Sequence, residues 1–125
     1  MLYDTDVLIW VFRGNAGAAR VIDEDSKRYI SVVSYMELLQ GAVDRRDARL
    51  VKSFLSDCRF SLLPLTENIG HRASIYMEEL ASSSGLRVAD ALIAATAAEN
   101  HIAFCTADQT HFRPIHELKL KVFRP

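Results

Sequence analysis

Short apolar segments alternate along this chain with longer segments in which apolar residues recur at helical spacing. This alternation is typical of an α/β fold built around a mostly parallel sheet. Five segments have the length and composition of strands, and they are residues 1–3, 28–32, 60–64, 102–105 and 118–123. In the last of them apolar and basic side chains alternate, which indicates a strand at the edge of the sheet.

The segments between the strands predict helices. The clearest covers residues 88–99, which are strongly apolar and rich in small side chains that pack closely against a sheet. Thr66 is expected to cap a long helix that ends before a loop at residues 82–85. The remaining helices are expected at residues 7–12, at residues 18–25, in a segment opened by Ser34, and at residues 47–56, with a loop or short helical turn at 106–112.

Length and composition predict a single domain that covers residues 1–125. Half of the residues are apolar, which is enough for one core without disulfides. Cys58 and Cys105 lie far apart without metal-ligand spacing, so we expect two reduced thiols. There is no signal-peptide pattern, and no apolar run approaches the roughly 18 residues of a membrane span, so we expect a soluble cytoplasmic protein with no membrane contact.

The formal net charge of −1 argues against a non-specific nucleic-acid coat, which would be strongly basic. It does not exclude a nuclease, because a carboxylate cluster lowers the charge locally and a bound divalent cation restores it. Basic residues concentrate in the segment from Arg45 to Lys52. This segment is either a solvated helix face or an edge that contacts phosphates, and the sequence leaves both interpretations open.

Four carboxylates follow a predicted strand or open a predicted helix. Asp4 follows the first strand, Glu37 lies in the first turn of the helix after the second strand, Asp90 lies near the start of the apolar helix, and Asp108 follows the strand ending at Cys105. Parallel sheets bind ligands outside the carboxyl ends of their strands, so we expect these acids at one edge. Carboxylate oxygens suit Mg²⁺ or Mn²⁺, and metal-assisted phosphodiester hydrolysis needs no side-chain nucleophile.

Each acid also has a purely structural interpretation. Asp4 and Asp6 can cap a helix, and residues 34–37 match a capping box that would engage the glutamate. Asp90 is favoured near a helix N-terminus by the macrodipole, and Asp108 can form an Asx turn. Spacing alone leaves the structural and the metal-binding interpretations open for every one of them.

Four blocks of the sequence resemble, in order, the conserved blocks of PIN domains, and especially those of the VapC-like toxins of toxin–antitoxin pairs. The blocks are YDTDVLI at residues 3–9, SYMELLQG at 34–41, DALIAATA at 90–97 and CTADQTHF at 105–112. The resemblance runs over residues 2–122. It implies a three-layer α/β/α PIN-like fold around a parallel sheet, and cleavage of RNA that depends on Mg²⁺ or Mn²⁺.

The resemblance also implies a set of site residues and partners. The acids that match the family's metal-binding and catalytic positions are Asp4, Glu37, Asp90 and Asp108. The residues expected beside those ligands are Thr5, Asp6, Thr106 and His111. The implied partners are an RNA substrate, a cognate antitoxin protein and a second copy of the chain. Apolar residues that either fill the core or face such a partner are Trp10, Phe12, Tyr35 and Leu39.

Two positions depart from the family pattern. The residue after the initial Asp-Thr is often Asn or Ser, and here it is Asp6, which we interpret as a helix cap, with added negative charge at the site as the alternative. In many relatives an acid precedes the phenylalanine of the last block, and here that residue is His111. If the fourth carboxylate of the family belongs there, Asp108 has to serve instead, and a second metal position is in doubt.

Two other functions match parts of the sequence. The Asp4-Thr-Asp6 segment resembles the start of haloacid-dehalogenase-type phosphatases, but Leu8 replaces the expected Thr or Val and no late Asp-Asp pair exists. A PIN-like RNA-binding module without catalysis is the second alternative, mainly because of His111. The four histidines share no metal-ligand spacing, so surface or capping roles are expected for them.

Overall fold

The computed structural model describes residues 1–125, which form five strands and seven helices. In chain order the elements are β1 (Leu2–Tyr3), α1 (Thr5–Phe12), α2 (Ala16–Asp23), β2 (Tyr29–Ser31), α3 (Val32–Gln40), α4 (Arg45–Asp57), β3 (Ser61–Leu63), α5 (Glu67–Ser84), α6 (Val88–Glu99), β4 (Phe104–Thr106), α7 (Gln109–Phe112) and β5 (Leu120–Val122). None of the helices combines the length and apolar character that a membrane crossing requires.

All five strands run parallel, in the order β3-β2-β1-β4-β5, so the predicted parallel α/β fold is confirmed. The first strand of the chain lies at the centre of the sheet, and β5 lies at an edge as its alternating pattern predicted. Leu2 pairs with Phe104, and Tyr3 pairs with Cys105. The carboxyl ends of β1 and β4 therefore lie side by side.

The two faces of the sheet contribute to two separate cores, because successive residues of a strand point to opposite faces. Leu2 and Phe104 pack into a core that includes buried residues of α5 and α6. Tyr3 and Cys105 pack into a second core with buried residues of α1, α2, α3 and α4. A sheet between two helical layers is the predicted three-layer α/β/α arrangement.

The start of α3 differs from the prediction. Ser31 is the N-cap of this helix, and its Oγ accepts a hydrogen bond from the amide of Val33 at 3.1 Å. Ser34 therefore lies inside the helix, where its buried hydroxyl has no hydrogen-bond partner. The predicted capping box at residues 34–37 is wrong, and Glu37 lies in the second turn of the helix instead of the first.

The end of α5 also differs, because the loop expected at residues 82–85 is helical as far as Ser84. The Ser84 hydroxyl donates to the carbonyl of Leu80 at 2.9 Å, so the serine side chain bonds back into its own helix. Gly85 then ends the helix with a left-handed φ of 72°, a conformation that costs least for glycine. At the other end of α5, Thr66 is the N-cap, so this prediction is confirmed.

Other boundaries shift by only a few residues. The helix predicted at residues 18–25 begins at Ala16, because the Asn15 side chain accepts from the amide of Ala18 at 2.9 Å and caps it. The strand predicted at residues 102–105 continues to Thr106. This last shift matters for function, because it places the Thr106 hydroxyl on the sheet itself, next to the end of β1.

Candidate active site

Asp4 is the central acid of the carboxyl edge of the sheet. It follows β1 directly, it is only 7% exposed, and its backbone amide bonds to the carbonyl of Cys105 at 2.8 Å. Its two carboxylate oxygens are both engaged, one by the Thr5 amide at 2.8 Å and the other by the Thr106 hydroxyl at 2.7 Å. Asp4 is therefore both the N-cap of α1 and the point where β1 and β4 are joined by side chains.

Asp6 lies in the first turn of α1 and does not cap that helix, so its interpretation as a cap is wrong. Its Oδ2 accepts from the backbone amide of Ala107 at 3.1 Å, which ties the segment after β4 to α1. The position of Asp6 also puts a second negative charge next to Asp4. That charge is the alternative that the sequence left open.

Glu37 reaches the same edge from α3. Its side chain is exposed, and its Oε1 accepts from the Thr5 hydroxyl at 2.7 Å. Thr5 thus serves two acids, because its backbone amide bonds to Asp4 and its hydroxyl bonds to Glu37. The structure brings this predicted pair of acids together through one threonine.

Asp90 and Asp108 approach the edge from α6 and α7, and His111 lies between them. Asp90 accepts from the backbone amide of Arg87 at 3.2 Å, and Asp108 caps α7 by a long 3.4 Å bond from the amide of His111. His111 Nδ1 lies 2.6 Å from Asp108 Oδ2 and 3.9 Å from Asp90 Oδ2. Asp90 lies in the first turn of α6, where the macrodipole favours it, whereas Asp108 caps α7 instead of forming the Asx turn considered from the sequence. His111 lies close to both acids.

The remaining polar contact of the edge belongs to Thr106. Besides donating to Asp4, its hydroxyl oxygen accepts from the amide of Asp108 at 3.0 Å. The Thr106 hydroxyl therefore orients the buried Asp4 and also holds the turn that carries Asp108. Thr106 thus lies beside two of the four acids, while the place beside metal ligands that the resemblance implied for it stays a prediction.

Negative charge accumulates at this edge without a lysine or arginine to balance it. Burial, followed by the charge of Asp6 and a smaller effect of Asp90, raises the pKa of Asp4 to about 8 despite its hydrogen bonds. Burial and the charge of Asp108 also raise the pKa of Asp6. No lysine or arginine forms a salt bridge with any acid of the edge, and the only basic side chain paired with them is His111.

The acids do not form a preformed metal cage. No group of three or more His, Cys, Asp or Glu side chains in this chain is arranged to hold a metal ion as it stands. The side chains are instead held by local donors, such as Thr5 on Glu37 and His111 on Asp108. The chemistry of the donor set does fit Mg²⁺ or Mn²⁺, since every acid offers carboxylate oxygen and the charge is uncompensated. The four-ligand site stays a prediction.

An apolar groove that the sequence did not reveal leads away from Glu37. It has a volume of about 530 Å³ and lies between α1, α3 and α4. Phe12 and Leu50 line it and are 44% and 58% exposed. In α4 the buried side chains are Val51 and Leu55, whereas the apolar Leu50 faces the groove.

The other candidates from the sequence are on the surface or in the cores. Trp10, Tyr35 and Leu39 are partly buried against the second core, so only Phe12 of the four aromatic and aliphatic candidates is exposed. The basic residues of the segment from Arg45 to Lys52 are all exposed on α4 and form no salt bridge. Three of the four histidines are exposed, as expected, and they are His71, His101 and His116.

The sequence and fold of this chain match known proteins over almost their full length. A family model described as PIN domain matches residues 1–116. Ribonuclease VapC10 of Mycobacterium tuberculosis is 35% identical over 126 aligned residues, which cover 95% of this chain and 90% of that protein.

Solved structures with the same architecture include two toxin–antitoxin assemblies. A toxin-antitoxin complex from Klebsiella pneumoniae has a TM-score of 0.79 and 25% identity, covering 94% of this chain and 93% of that chain. The DNA-bound VapBC from Salmonella typhimurium has a TM-score of 0.82 and 20% identity, covering 97% of this chain and 96% of that chain. The second match shows a shared fold alone, because its sequence identity is low.

Proposed function

This chain belongs to the PIN-domain family, and on that premise we propose that it is a Mg²⁺- or Mn²⁺-dependent endoribonuclease that acts as the toxin of a toxin–antitoxin pair. Its substrate is RNA, whose phosphodiester bonds it hydrolyses. The proposal is supported by the 35% identical relative, which is a ribonuclease, and by the Klebsiella pneumoniae structure, which is a toxin-antitoxin complex.

The observation that carries the proposal is the state of Asp4. A carboxyl group that is buried beside two other acids, with its pKa raised to about 8, is costly to keep ionised. Two hydrogen bonds nevertheless hold it in a fixed orientation at the end of the central strand. A bound cation stabilises the ionised form of such a carboxyl group. A metal-dependent nuclease in turn needs an ionised carboxylate to bind its metal.

We assign Asp4, Glu37 and Asp90 as the side chains that hold the cation. Asp108 is the fourth acid of the proposed site. When bound, the cation supplies a water of lowered pKa and stabilises charge on the phosphate and on the leaving oxygen. The residues of the chain hold and orient these ligands. Thr106 fixes one oxygen of Asp4, and Thr5 fixes Glu37, so both hydroxyls act as positioning groups.

The proposed antitoxin would cover the groove between α1, α3 and α4. Ile9, Phe12 and Leu50 give the groove exposed apolar side chains, and Glu37 stands at its border with the acidic edge. An apolar face of a partner helix fits such a groove, and an arginine that follows it would pair with the acids beyond Glu37. One bound segment would then occupy both surfaces and block the RNA.

The second copy of the chain stays a prediction of the family resemblance. Of the residues considered for such an interface, Trp10, Tyr35 and Leu39 are already packed against the second core. Phe12 is the exposed one, and it lines the groove assigned to the antitoxin. Sedimentation or light scattering of the free chain measures whether a homodimer forms without that partner.

The test is cleavage of a mixed cellular RNA pool by the native chain with Mg²⁺, with EDTA, and by Asp90→Asn. Glu78→Gln is the matched control, because it removes one charge from an exposed position on α5. We expect cleavage by the native chain and by the control in the presence of metal, and none in the other two reactions. Full activity of a folded Asp90→Asn protein would contradict the assignment.

A PIN-like RNA-binding module without catalysis is the alternative that the same experiment separates. The engagement of Asp108 by His111 favours it, because this contact removes one acid from the free donor set. In that case the native chain binds Mn²⁺ and retains RNA in a filter-binding assay, but it leaves both the pool and its purified tRNA and rRNA fractions intact with either metal.

A further inference from the structure

The imidazole of His111 lies where two acids would otherwise face each other. Its Nδ1 is 2.6 Å from Asp108 Oδ2 and 3.9 Å from Asp90 Oδ2. Two carboxylates so placed repel each other unless a positive group or a shared proton donor lies between them. In this chain the donor is part of the protein, since no lysine or arginine pairs with either acid.

The surroundings of His111 restrict its ring on one side. Nε2 of His111 packs against Gly85, 3.5 Å from where a Cβ on that glycine would lie. The neighbouring Phe112 is buried and in edge contact with Phe104, so the short helix α7 cannot rotate freely. Nδ1 is thereby left facing Asp108 and Asp90. An Nδ1 that donates to a carboxylate carries its proton, so it cannot at the same time bind a metal ion.

From this geometry we propose that His111 takes the place of a second divalent cation, so that the active site of this chain binds one metal ion. The inference rests on the proposed function and deepens it. Nuclease sites with two ions place them about 3.5–4 Å apart between shared carboxylates. Here Asp4, Glu37 and Asp90 remain as ligands for one cation. The Nδ1–H of His111 donates to Asp108, and Asp90 is the second acid near that nitrogen. His111 is a positioning residue in this arrangement.

The contact does not depend on the protonation state of the imidazole. A neutral ring with its proton on Nδ1 donates the same hydrogen bond as the charged ring. Asn also offers an N–H close to the position of Nδ1 in His. His111→Asn therefore keeps the donor, whereas His111→Ala removes it and His111→Asp replaces it with a further carboxylate.

Mn²⁺ binding to the full chain tests the proposal without any measurement of activity. We expect the native chain and His111→Asn to bind about one Mn²⁺ by calorimetry, and His111→Asp and His111→Ala to bind about two. Electron paramagnetic resonance distinguishes an isolated Mn²⁺ from a coupled pair, and a structural role of His111 alone would not change that spectrum. Adding Asp108→Asn to His111→Ala should return the count to one.

Each outcome bears on a different claim. Two Mn²⁺ ions in the native chain, or one in all the folded His111 variants, would overturn the role of His111 and leave the nuclease proposal standing. A folded native chain that binds no Mn²⁺ at all would overturn the proposed metal site and the inference with it. Thermal melts of each variant establish that the proteins compared are folded, and His111→Asp serves if His111→Ala does not fold.

Discussion

The acidic edge, which includes Asp90 at the start of α6, and a second carboxylate cluster, which includes Glu99 at the end of the same helix, differ in whether the protein itself balances the charge. In the second cluster, which we call the Arg72 cluster, Arg72 pairs with Glu99 at 2.5 Å and with Glu117 at 2.7 Å. The hydroxyl of Tyr76 donates to Glu117 as well. These donors lower the pKa of Glu117, whereas burial beside other acids raises that of Asp4.

The difference separates a cluster with a structural role from the cluster to which we assign the proposed function. The Arg72 cluster lines the larger cavity of the molecule, of about 690 Å³, but its carboxylates already have their cation. The acidic edge has more carboxylates and neither a lysine nor an arginine paired with them. Perturbed pKa values occur in both places, so the perturbation alone does not identify a functional site. The two clusters are distinguished by the direction in which the carboxyl pKa shifts, which is up at the acidic edge and down at Glu117, and by whether a lysine or arginine pairs with the acids.

The largest effect is expected from removing one charge in each cluster and comparing RNA cleavage. Asp4→Asn should lower the single-turnover cleavage rate by at least about 10³-fold, because a metal ligand contributes several kcal/mol to the transition state. Glu117→Gln should leave the rate of the folded protein unchanged. Comparable losses in the two variants would mean that the contrast between the clusters is not functional.

A smaller loss is expected at Thr106, which orients Asp4 without being a ligand. Thr106→Val removes the hydroxyl while keeping the shape of the side chain, and we expect metal affinity or cleavage to fall by about 10- to 100-fold. Thr106→Ser retains the hydroxyl and is the control. Equal losses in the two variants would assign the effect to packing at the end of β4, since only the serine keeps the bond to Asp4.

The stability of Asp4→Asn should differ from that of the native chain in a pH-dependent way. Because the folded pKa is raised from 3.8 to about 8, the folded state binds more protons than the unfolded state between these values. Native stability therefore falls as the pH rises through this range. The variant should melt a few °C above the native chain at pH 8, on the order of 1 kcal/mol, and close to it at pH 4. Melts without metal at both pH values measure this.

The smallest effect is expected in the Arg72 cluster, with the opposite pH dependence. Tyr76→Phe removes one hydrogen bond to Glu117 and should cost about 1 kcal/mol of unfolding free energy at neutral pH. The pKa of Glu117 is lowered in the folded protein, so its stabilisation is present above its unfolded pKa and is lost as the pH falls. The cost of the variant should shrink in acid, and denaturant titrations at pH 7 and pH 3 check it.

The sequence predicted the fold well, because the fold depends on signals that are local or periodic. The apolar helix at residues 88–99 has the predicted bounds, and the edge strand has the predicted place in the sheet. The errors concern competition between neighbouring polar residues. Ser31 and Ser34 both have capping chemistry, and only the pairing of β2 in the sheet decides that the strand ends at Ser31.

The sequence was enough to predict that the four acids meet at one edge of the sheet, but not to predict the hydrogen-bond network around them. Asp6 bonds to the amide of Ala107, which is 101 positions away in the sequence, so no local pattern could have shown that it was not a cap. The contact of His111 with two acids depends on how α7 packs beside α6. The near-neutral composition could not show that the acids of this edge lack a lysine or arginine partner either, because composition says nothing about how charges are distributed over the surface.

The hydrogen bond between Thr106 and Asp4 joins residues that are 102 positions apart, and this separation has a consequence for protein synthesis. Strand β1 pairs with β4, which follows it in the sequence only after α6. A chain in which β4 has not yet been translated therefore has Asp4 but lacks its partner strand and Asp108, the acid that follows that strand. Contacts between such distant residues close late in folding. A nascent chain thus carries no assembled site before β4 has been translated, and any cleavage by the proposed site has to wait for that strand.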